Sequence, residues 1–208
     1  MPAWREFAAW GAASFNLQKR RRLRKRISGV VEATKASLGA CVLLLQELPK
    51  QRSARLQGGL LHAGRDTDTG VYVPNTFETL VLRERVNEKY WTAVQIADTA
   101  FISIHLLPAA TQAVVMENVD TMEEITKLIQ EWKTGAKNIK YVVVGMDGNA
   151  GVQASQADVT GQHIHVRPEE RALKRRQAME IVLWAAEHEL RLVNTFTLPE
   201  GRSQHTWT

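Results

Sequence analysis

The start of the chain has the hydrophobic pattern of a strand, a helix and a second strand. A short strand is predicted over Ala12–Leu17, apolar residues recur at helical spacing over 23–38, and the apolar run Cys41–Leu45 predicts a buried strand. Polar side chains stand where the two strands end, namely Asn16 and the pair Gln46-Glu47. Because crevices open at strand ends in layered α/β folds, these residues are candidates for a functional site.

The rest of the chain alternates between β-rich and helical segments. Short β-rich runs within 66–107, separated by polar turns, indicate antiparallel hairpins. A helix is predicted from Thr121, which has Glu124 at capping-box spacing, to Gly135, and a polar surface loop over Gly148–Pro168. The other predicted elements are the strands Gly70–Val73, Glu78–Leu82, Trp91–Ala97, Ala100–Leu106, Tyr141–Met146, Arg191–Phe196 and His205–Thr208, and a helix over Glu169–Glu189 that buries Met179, Val182, Leu183, Ala186 and Leu190.

Composition describes an ordinary globular protein. The 208 residues, 44% of them hydrophobic, suffice for one domain that spans residues 1–208. No window approaches the roughly 18 apolar residues of a membrane helix, so a membrane protein is excluded. The single cysteine, Cys41, excludes an internal disulfide and is expected to be a buried structural residue. The segment Met1–Trp10 does not read as a signal peptide, so we expect an intracellular protein, nuclear or cytoplasmic and not secreted.

The net charge of +5 comes from one local patch. Lys19–Arg26 holds seven of the 27 basic residues, and the remainder of the chain has 20 basic against 22 acidic residues. This octet could bind phosphates, be read by a nuclear import receptor or lie solvated on a helix face. A second basic set could contact a nucleic-acid backbone or be equally solvated, with Arg171 and Arg175 as the candidate DNA contacts: Arg167, Arg171, Lys174, Arg175 and Arg176.

Two strand ends carry the residues best suited to chemistry. Asp147 and Asn149 follow the β-branched run Val142–Val144, which places an acceptor and a donor two residues apart. Such a pair suits a water held by the carboxylate beside a phosphate oxygen held by the amide, although an Asp-Gly turn after a strand is also common. Glu47 emerges from the strand Cys41–Leu45 and could be a magnesium ligand or a solvated strand end.

An ordered series of short motifs favours the chemical interpretation. The motifs are Ser14-Phe15-Asn16, Gln46-Glu47, Ser103-Ile104-His105, Gly145 to Asn149, Asn194-Thr195-Phe196 and Thr206-Trp207. In this order they resemble the successive motifs of the endonuclease/exonuclease/phosphatase (DNase I-like) superfamily, over nearly the whole chain. The resemblance extends to retrotransposon-type endonucleases, through the helix that runs into Leu190–Phe196. It implies a four-layer α/β sandwich, with two mixed β-sheets face to face and helices outside.

The resemblance also implies an activity, namely Mg²⁺-dependent hydrolysis of phosphodiesters, most simply as an endonuclease that acts on DNA. By this likeness Glu47 is the principal metal ligand, supported by Asn16, and Mn²⁺ can substitute for Mg²⁺. Asp147 resembles the carboxylate that orients the attacking water, and Asn149 the amide that fixes the scissile phosphate. His105 matches a position that holds a phosphate-contacting or acid-like histidine in DNase I-like members.

The resemblance is less informative for the C-terminal motifs. It implies that Asn194 and the Thr206-Trp207 pair frame the same cleft, where Asn194 and Trp207 would contact substrate. The family pattern continues with an aspartate-bearing strand and a Ser-Asp-His segment, and neither follows in this sequence, so we expect a truncated form of a fuller enzyme. Two alternatives stay open: an inactive remnant that at most binds nucleic acid, and a phosphatase of a small phosphorylated molecule or lipid. No obligate protein partner is inferred.

Overall fold

A computed structural model describes residues 11–16, 27, 29–32, 40–48, 53–56, 58–87, 89–151, 156, 158–160 and 171–192 of the chain. The strands are β1 (Gly11–Asn16), β2 (Cys41–Gln46), β3 (Ala54–Leu56), β4 (Gly59–His62), β5 (Gly70–Pro74), β6 (Val81–Val86), β7 (Trp91–Ile96), β8 (Thr99–His105) and β9 (Tyr141–Asp147). The helices with defined bounds are α1 (Asn75–Glu78), α2 (Gln112–Thr134) and α3 (Ala172–Glu187).

The strands form two mixed sheets. The first has the order β1-β2-β5-β4-β3, in which β1 and β2 are parallel and the other neighbours antiparallel. The second has the order β6-β7-β8-β9, in which only β8 and β9 are parallel. Strands β1, β2 and β5 contact β7, β8 and β9, so the two sheets lie face to face. The predicted α/β sandwich of two mixed sheets is confirmed.

Strand β2 is buried on both faces, which explains its uninterrupted apolar sequence. Its odd-numbered residues Cys41, Leu43 and Leu45 pack with Ile27 of the predicted first helix, of which residue 27 and residues 29–32 are described as helical. Its even-numbered residues Val42 and Leu44 face the second sheet. There they share a core with Val71, Val73, Phe77, Val94, Ile96 and Phe101.

Chain contacts divide the protein into two compact units. The first comprises 1–105 and 129–147 and contains both sheets, and the second comprises 106–128 and 148–208. Within the first unit, the guanidinium of Arg83 lies over the buried ring of Trp132 in the last turns of α2, 5.6 Å from its centroid. Within the second, Val159, Val182 and Ala185 form a small apolar core. In the described part of the chain, no helix has the length and apolar character needed to cross a bilayer.

One predicted strand was wrong, and one hairpin was not predicted. The segment predicted as the strand Glu78–Leu82 divides into helix α1 and strand β6, because Phe77 turns into the core between the sheets and the Leu80 N–H bonds back to the Phe77 carbonyl. The hairpin of β3 and β4 was not predicted. Its strands are only three and four residues long and turn at Gly58, whose φ of +79° is a conformation that glycine adopts without steric cost.

Two predictions about helices were also wrong. Helix α2 begins at Gln112 and not at Thr121, because the Thr111 hydroxyl accepts the Val114 N–H at the helix start. Thr121 lies inside the helix, and its hydroxyl donates to the Glu117 carbonyl. The predicted end before Gly135 is confirmed.

The buried face of helix α3 is only partly the one predicted. Ala186 and Leu190 are half-buried and pack against the core that contains Val182, as expected. Met179 and Leu183 are 44% and 51% exposed instead of buried, while Val182 is buried as expected. The buried stripe also contains a polar residue, Gln177, which was not among the residues predicted to be buried. Residues 191 and 192 are not in a strand, and the remainder of the predicted strand Arg191–Phe196 lies outside the described residues, as do Lys19–Arg26 and His205–Thr208.

Candidate functional site

Strand pairing brings five polar residues to one end of the two sheets. In the first sheet Asn16 ends β1 beside Gln46, the last residue of β2, and Glu47 follows directly. In the second sheet His105 ends β8 opposite Asp147, the last residue of β9. Parallel strands end at the same edge, so each pair delivers its side chains together. The sequence motifs of the first unit therefore converge.

The side-chain amide of Asn16 donates hydrogen bonds to two carboxylates. Asn16 Nδ2 donates to Glu47 Oε1 at 2.9 Å and to Asp147 Oδ2 at 2.6 Å. One ligand atom each from Glu47, His105 and Asp147 lie within 4.8 Å of one another, and these three residues are called the ligand cluster below. Two carboxylates this close repel each other unless a cation or a donor lies between them, and Asn16 supplies one donor.

His105 is held by a carboxylate that sequence reasoning had not assigned to the site. Its Nδ1 lies 2.8 Å from Asp68 Oδ2, and its Nε2 lies 3.9 Å from Asp147 Oδ2. Burial alone would lower the pKa of His105. The hydrogen bond to Asp68 and the charges of Asp68, Asp147 and Glu47 together outweigh burial, so the pKa of His105 is raised. Asp68 stands just before strand β5, in a segment Asp68-Thr69-Gly70-Val71 that resembles a strand entry of the DNase I-like superfamily, but it was given no role at the site.

The backbone adopts a costly conformation at two of the predicted residues. Glu47 has φ +53° and Asn149 has φ +46°, both in the left-handed region. For a residue such as glutamate this costs about 1–2 kcal/mol, whereas asparagine tolerates it better. A glycine would adopt this conformation without the strain. Because strained residues of this kind cluster at functional sites, position 47 is a candidate that mutation can test.

A buried polar network supports the end of strand β2. Gln46 Nε2 donates to Ser103 Oγ and to the Gly145 carbonyl, each at 3.0 Å, and Ser14 Oγ donates to Gln46 Oε1. Gly145 permits this approach, since a Cβ there would lie 2.6 Å from Leu44 Cβ. The network ties the two sheets together directly beside Glu47, a role that the sequence did not reveal for Gln46.

The remaining predicted residues belong to the second unit or lie outside the described residues. Asn149 Nδ2 donates to the Leu106 carbonyl at 2.7 Å. Arg171 and Arg175 are exposed at the start of α3, which has no acidic residue in its first turn. Asn194 and Trp207 lie outside the described residues.

The ligand cluster fits a hard divalent cation. Glu47 and Asp147 offer carboxylate oxygens, the donors that Mg²⁺ and Mn²⁺ prefer, and Mg²⁺ is usually held in proteins by one or two carboxylates. The imidazole of His105 is a poorer donor for Mg²⁺, and its Nδ1 is already engaged by Asp68. The two carboxylates therefore suit such a cation better than the imidazole of His105 does.

Comparison with solved structures identifies the fold. An AP endonuclease from Archaeoglobus fulgidus is similar to the chain with a TM-score of 0.51 at 17% identity, over 86% of this chain and 82% of that one. The endonuclease domain of TRAS1, a telomere-specific non-LTR retrotransposon, has a TM-score of 0.43 at 16% identity, over 84% of this chain and 68% of that one. No protein-family model and no curated protein sequence matches the chain. The fold is DNase I-like, as the motif series implied.

Proposed function

We propose that this protein is a divalent-metal-dependent phosphodiester hydrolase, an endonuclease that acts on DNA with Mg²⁺ as its cation. The observation that carries the proposal is the ligand cluster, in which Glu47, His105 and Asp147 converge within 4.8 Å at the strand ends of a DNase I-like fold. The similar solved structure from Archaeoglobus fulgidus is an AP endonuclease, which is consistent with this activity.

In the proposed reaction, Glu47 and Asp147 hold the cation. A bound Mg²⁺ supplies charge neutralisation at the phosphate and lowers the pKa of water. Asn16, through its two N–H bonds, keeps both carboxylates turned toward the same point. Asp147 also accepts a hydrogen bond from the attacking water and thereby orients it.

His105 supplies positive charge to the phosphate in the proposed mechanism. Its Nδ1 is fixed by Asp68, and its raised pKa favours the protonated imidazolium. The protonated Nε2 then donates to a phosphate oxygen, where negative charge grows during hydrolysis. Asn149 holds a second phosphate oxygen through its amide.

The basic start of α3 supports a polyanionic substrate. Arg171 and Arg175 lie at a helix N-terminus, where positive side chains are unfavourable by about 0.3–1 kcal/mol each because they face the positive end of the helix dipole. A phosphate group gains from the guanidinium groups and from the free N–H groups of the helix start together. We therefore assign these two arginines to contacts with the DNA backbone.

The test is Mg²⁺-dependent nicking of supercoiled plasmid by the purified chain, with intact and with depurinated plasmid as substrates. We expect nicking that requires Mg²⁺ or Mn²⁺ and falls by a factor on the order of 1,000 in Asp147→Asn. Asp98→Asn is the matched control, since Asp98 lies in the turn at the opposite end of the same strand pair, where it bonds Lys140. A folded wild-type protein that does not nick either plasmid, or an Asp147→Asn variant as active as wild type, would refute the proposal.

A further inference from the structure

Helices α2 and α3 each bury an amide side chain that the site described above does not use. Asn118 of α2 and Gln177 of α3 are both 1% exposed, and Asn118 Nδ2 donates to Gln177 Oε1 at 2.8 Å. A buried amide is costly unless its donors and acceptor all find partners. Two apolar side chains would pack the helices together without the cost of burying polar groups. The hydrogen-bond partners of the two amides therefore indicate what Asn118 and Gln177 do.

The partners are backbone groups of two loops. Asn118 Oδ1 accepts the Leu107 N–H, and Asn118 Nδ2 donates to the Leu107 carbonyl, both at 2.9 Å. Gln177 Nε2 donates to the same carbonyl at 3.1 Å and to the Gly148 carbonyl at 2.5 Å. Each N–H of both amides is thereby used. The two side chains form what is called the amide clamp below.

The clamped carbonyls flank the proposed catalytic residues in the chain. Leu107 lies two residues after His105, and Gly148 lies between Asp147 and Asn149. Asn149 adopts φ +46°, and its own amide donates to the Leu106 carbonyl. The clamp therefore binds the backbone on both sides of the Asn149 hydrogen bond. A residue keeps a left-handed backbone conformation, despite its cost, where the surrounding structure holds it in place.

We infer that Asn118 and Gln177 are positioning residues, which hold the loops 106–107 and 148–149 so that the Asn149 amide is presented in one orientation. The consequence for hydrolysis rests on the proposed function, whereas the effect on Asn149 does not. Neither residue touches the ligand cluster directly within the described contacts, so the clamp acts through the backbone. Sequence patterns did not indicate it, because polar residues on amphipathic helices are usually solvated.

A second polar link between the same two helices provides a matched control. Thr126 Oγ1 of α2 bonds His188 Nε2 at 2.8 Å and accepts the Trp184 Nε1–H at 3.1 Å. Thr126→Val removes these bonds and leaves the clamp and its loops intact. This variant therefore measures the effect of weaker packing between α2 and α3 when the amide clamp is unchanged.

The experiment compares Gln177→Met with Thr126→Val in the full chain. In ¹H–¹⁵N NMR spectra we expect the Asn149 side-chain amide signals to shift and broaden in Gln177→Met and to stay at the wild-type position in Thr126→Val. In plasmid nicking we expect kcat to fall by about 100-fold in Gln177→Met with little change in KM, because a catalytic group is misplaced and DNA contacts are retained. Thr126→Val should keep the wild-type kcat.

Unchanged Asn149 signals in folded Gln177→Met, or equal changes in both variants, would overturn the inference. If Gln177→Met does not fold, Gln177→Asn gives the same readouts, since its shorter side chain withdraws from the Gly148 carbonyl. The two hypotheses fail separately. A wild-type protein without nicking activity refutes the proposed function, while the NMR comparison still decides the amide clamp.

Discussion

Two buried histidines of the first unit are each paired with a carboxylate, but the surroundings of the two pairs differ. His105 Nδ1 bonds Asp68, and His62 Nδ1 bonds Glu84, and the histidine side chains are 9% and 5% exposed. His105 Nε2 faces Asp147, which belongs to the ligand cluster. Among the described residues, His62 Nε2 has no hydrogen-bond partner. A histidine–carboxylate pair is therefore not sufficient to identify a functional site. The carboxylates of Glu47 and Asp147, which lie close to His105, distinguish its surroundings from those of His62.

The largest expected difference between the two histidines is in activity. His105→Gln should reduce the nicking rate by about 100-fold or more, since it removes the charge proposed to meet the phosphate. His62→Gln removes a pair between a buried histidine and a half-exposed carboxylate, and should leave the rate within about threefold of wild type. Rates measured at saturating DNA with Mg²⁺ present test this. Equal losses in the two variants would show that the pair acts only on stability.

The second difference is a pH dependence of stability at His105. Burial opposes protonation, but Asp68, Asp147 and Glu47 raise the pKa of His105 above that of the unfolded chain, which is about 6.5. The stability that the His105–Asp68 pair contributes is therefore fully present below about pH 6.5, and it is lost as the pH rises through the pKa of His105 in the folded protein. Asp68→Asn removes the main favourable partner.

The measurement is urea unfolding of the metal-free protein at a series of pH values. We expect the free energy of unfolding of wild type to fall as pH rises through this window, and that of Asp68→Asn to fall less steeply. Parallel curves for the two proteins would contradict the assignment of Asp68 as the partner of His105.

The smallest predicted effect concerns the backbone conformation at Glu47, compared with that at Glu84. Glu47 has φ +53°, whereas Glu84 lies within strand β6. Glu47→Gly should be about 1 kcal/mol more stable than Glu47→Ala, because only glycine adopts this conformation without strain. At position 84 the order should reverse by about 0.5–1 kcal/mol, since glycine weakens a strand. Denaturant unfolding checks both orders, and alanine equal to glycine at position 47 would be inconsistent with strain there.

Much of the fold was predictable where burial is continuous or strictly periodic. The runs Cys41–Leu45 and Tyr141–Met146 were predicted as strands because both contain consecutive apolar residues, and they end as β2 and β9 beside the ligand cluster. The short hairpin of β3 and β4 was not, since three exposed or half-buried residues carry no clear pattern. The buried face of helix α3 was predicted only in part, because Gln177 is buried while Met179 and Leu183 are exposed.

The candidate site was predictable only in part, for a related reason. Glu47, His105 and Asp147 stand at strand ends in recognisable motifs, and the structure brings them together as the motif series implied. Asp68 lies 37 residues from His105 in a loop without regular pattern, and only the folded chain shows that contact. The clamp residues Asn118 and Gln177 are 59 residues apart and resemble surface amides in sequence.

We propose that the ligand cluster binds a divalent cation through Glu47 and Asp147. Mn²⁺ titration followed by electron paramagnetic resonance tests this binding on wild type, Glu47→Gln and the matched variant Glu84→Gln. We expect wild type and Glu84→Gln to bind Mn²⁺ equally, and Glu47→Gln to bind at least about tenfold more weakly. Equal Mn²⁺ affinity in Glu47→Gln and wild type would show that Glu47 is not a ligand of the cation.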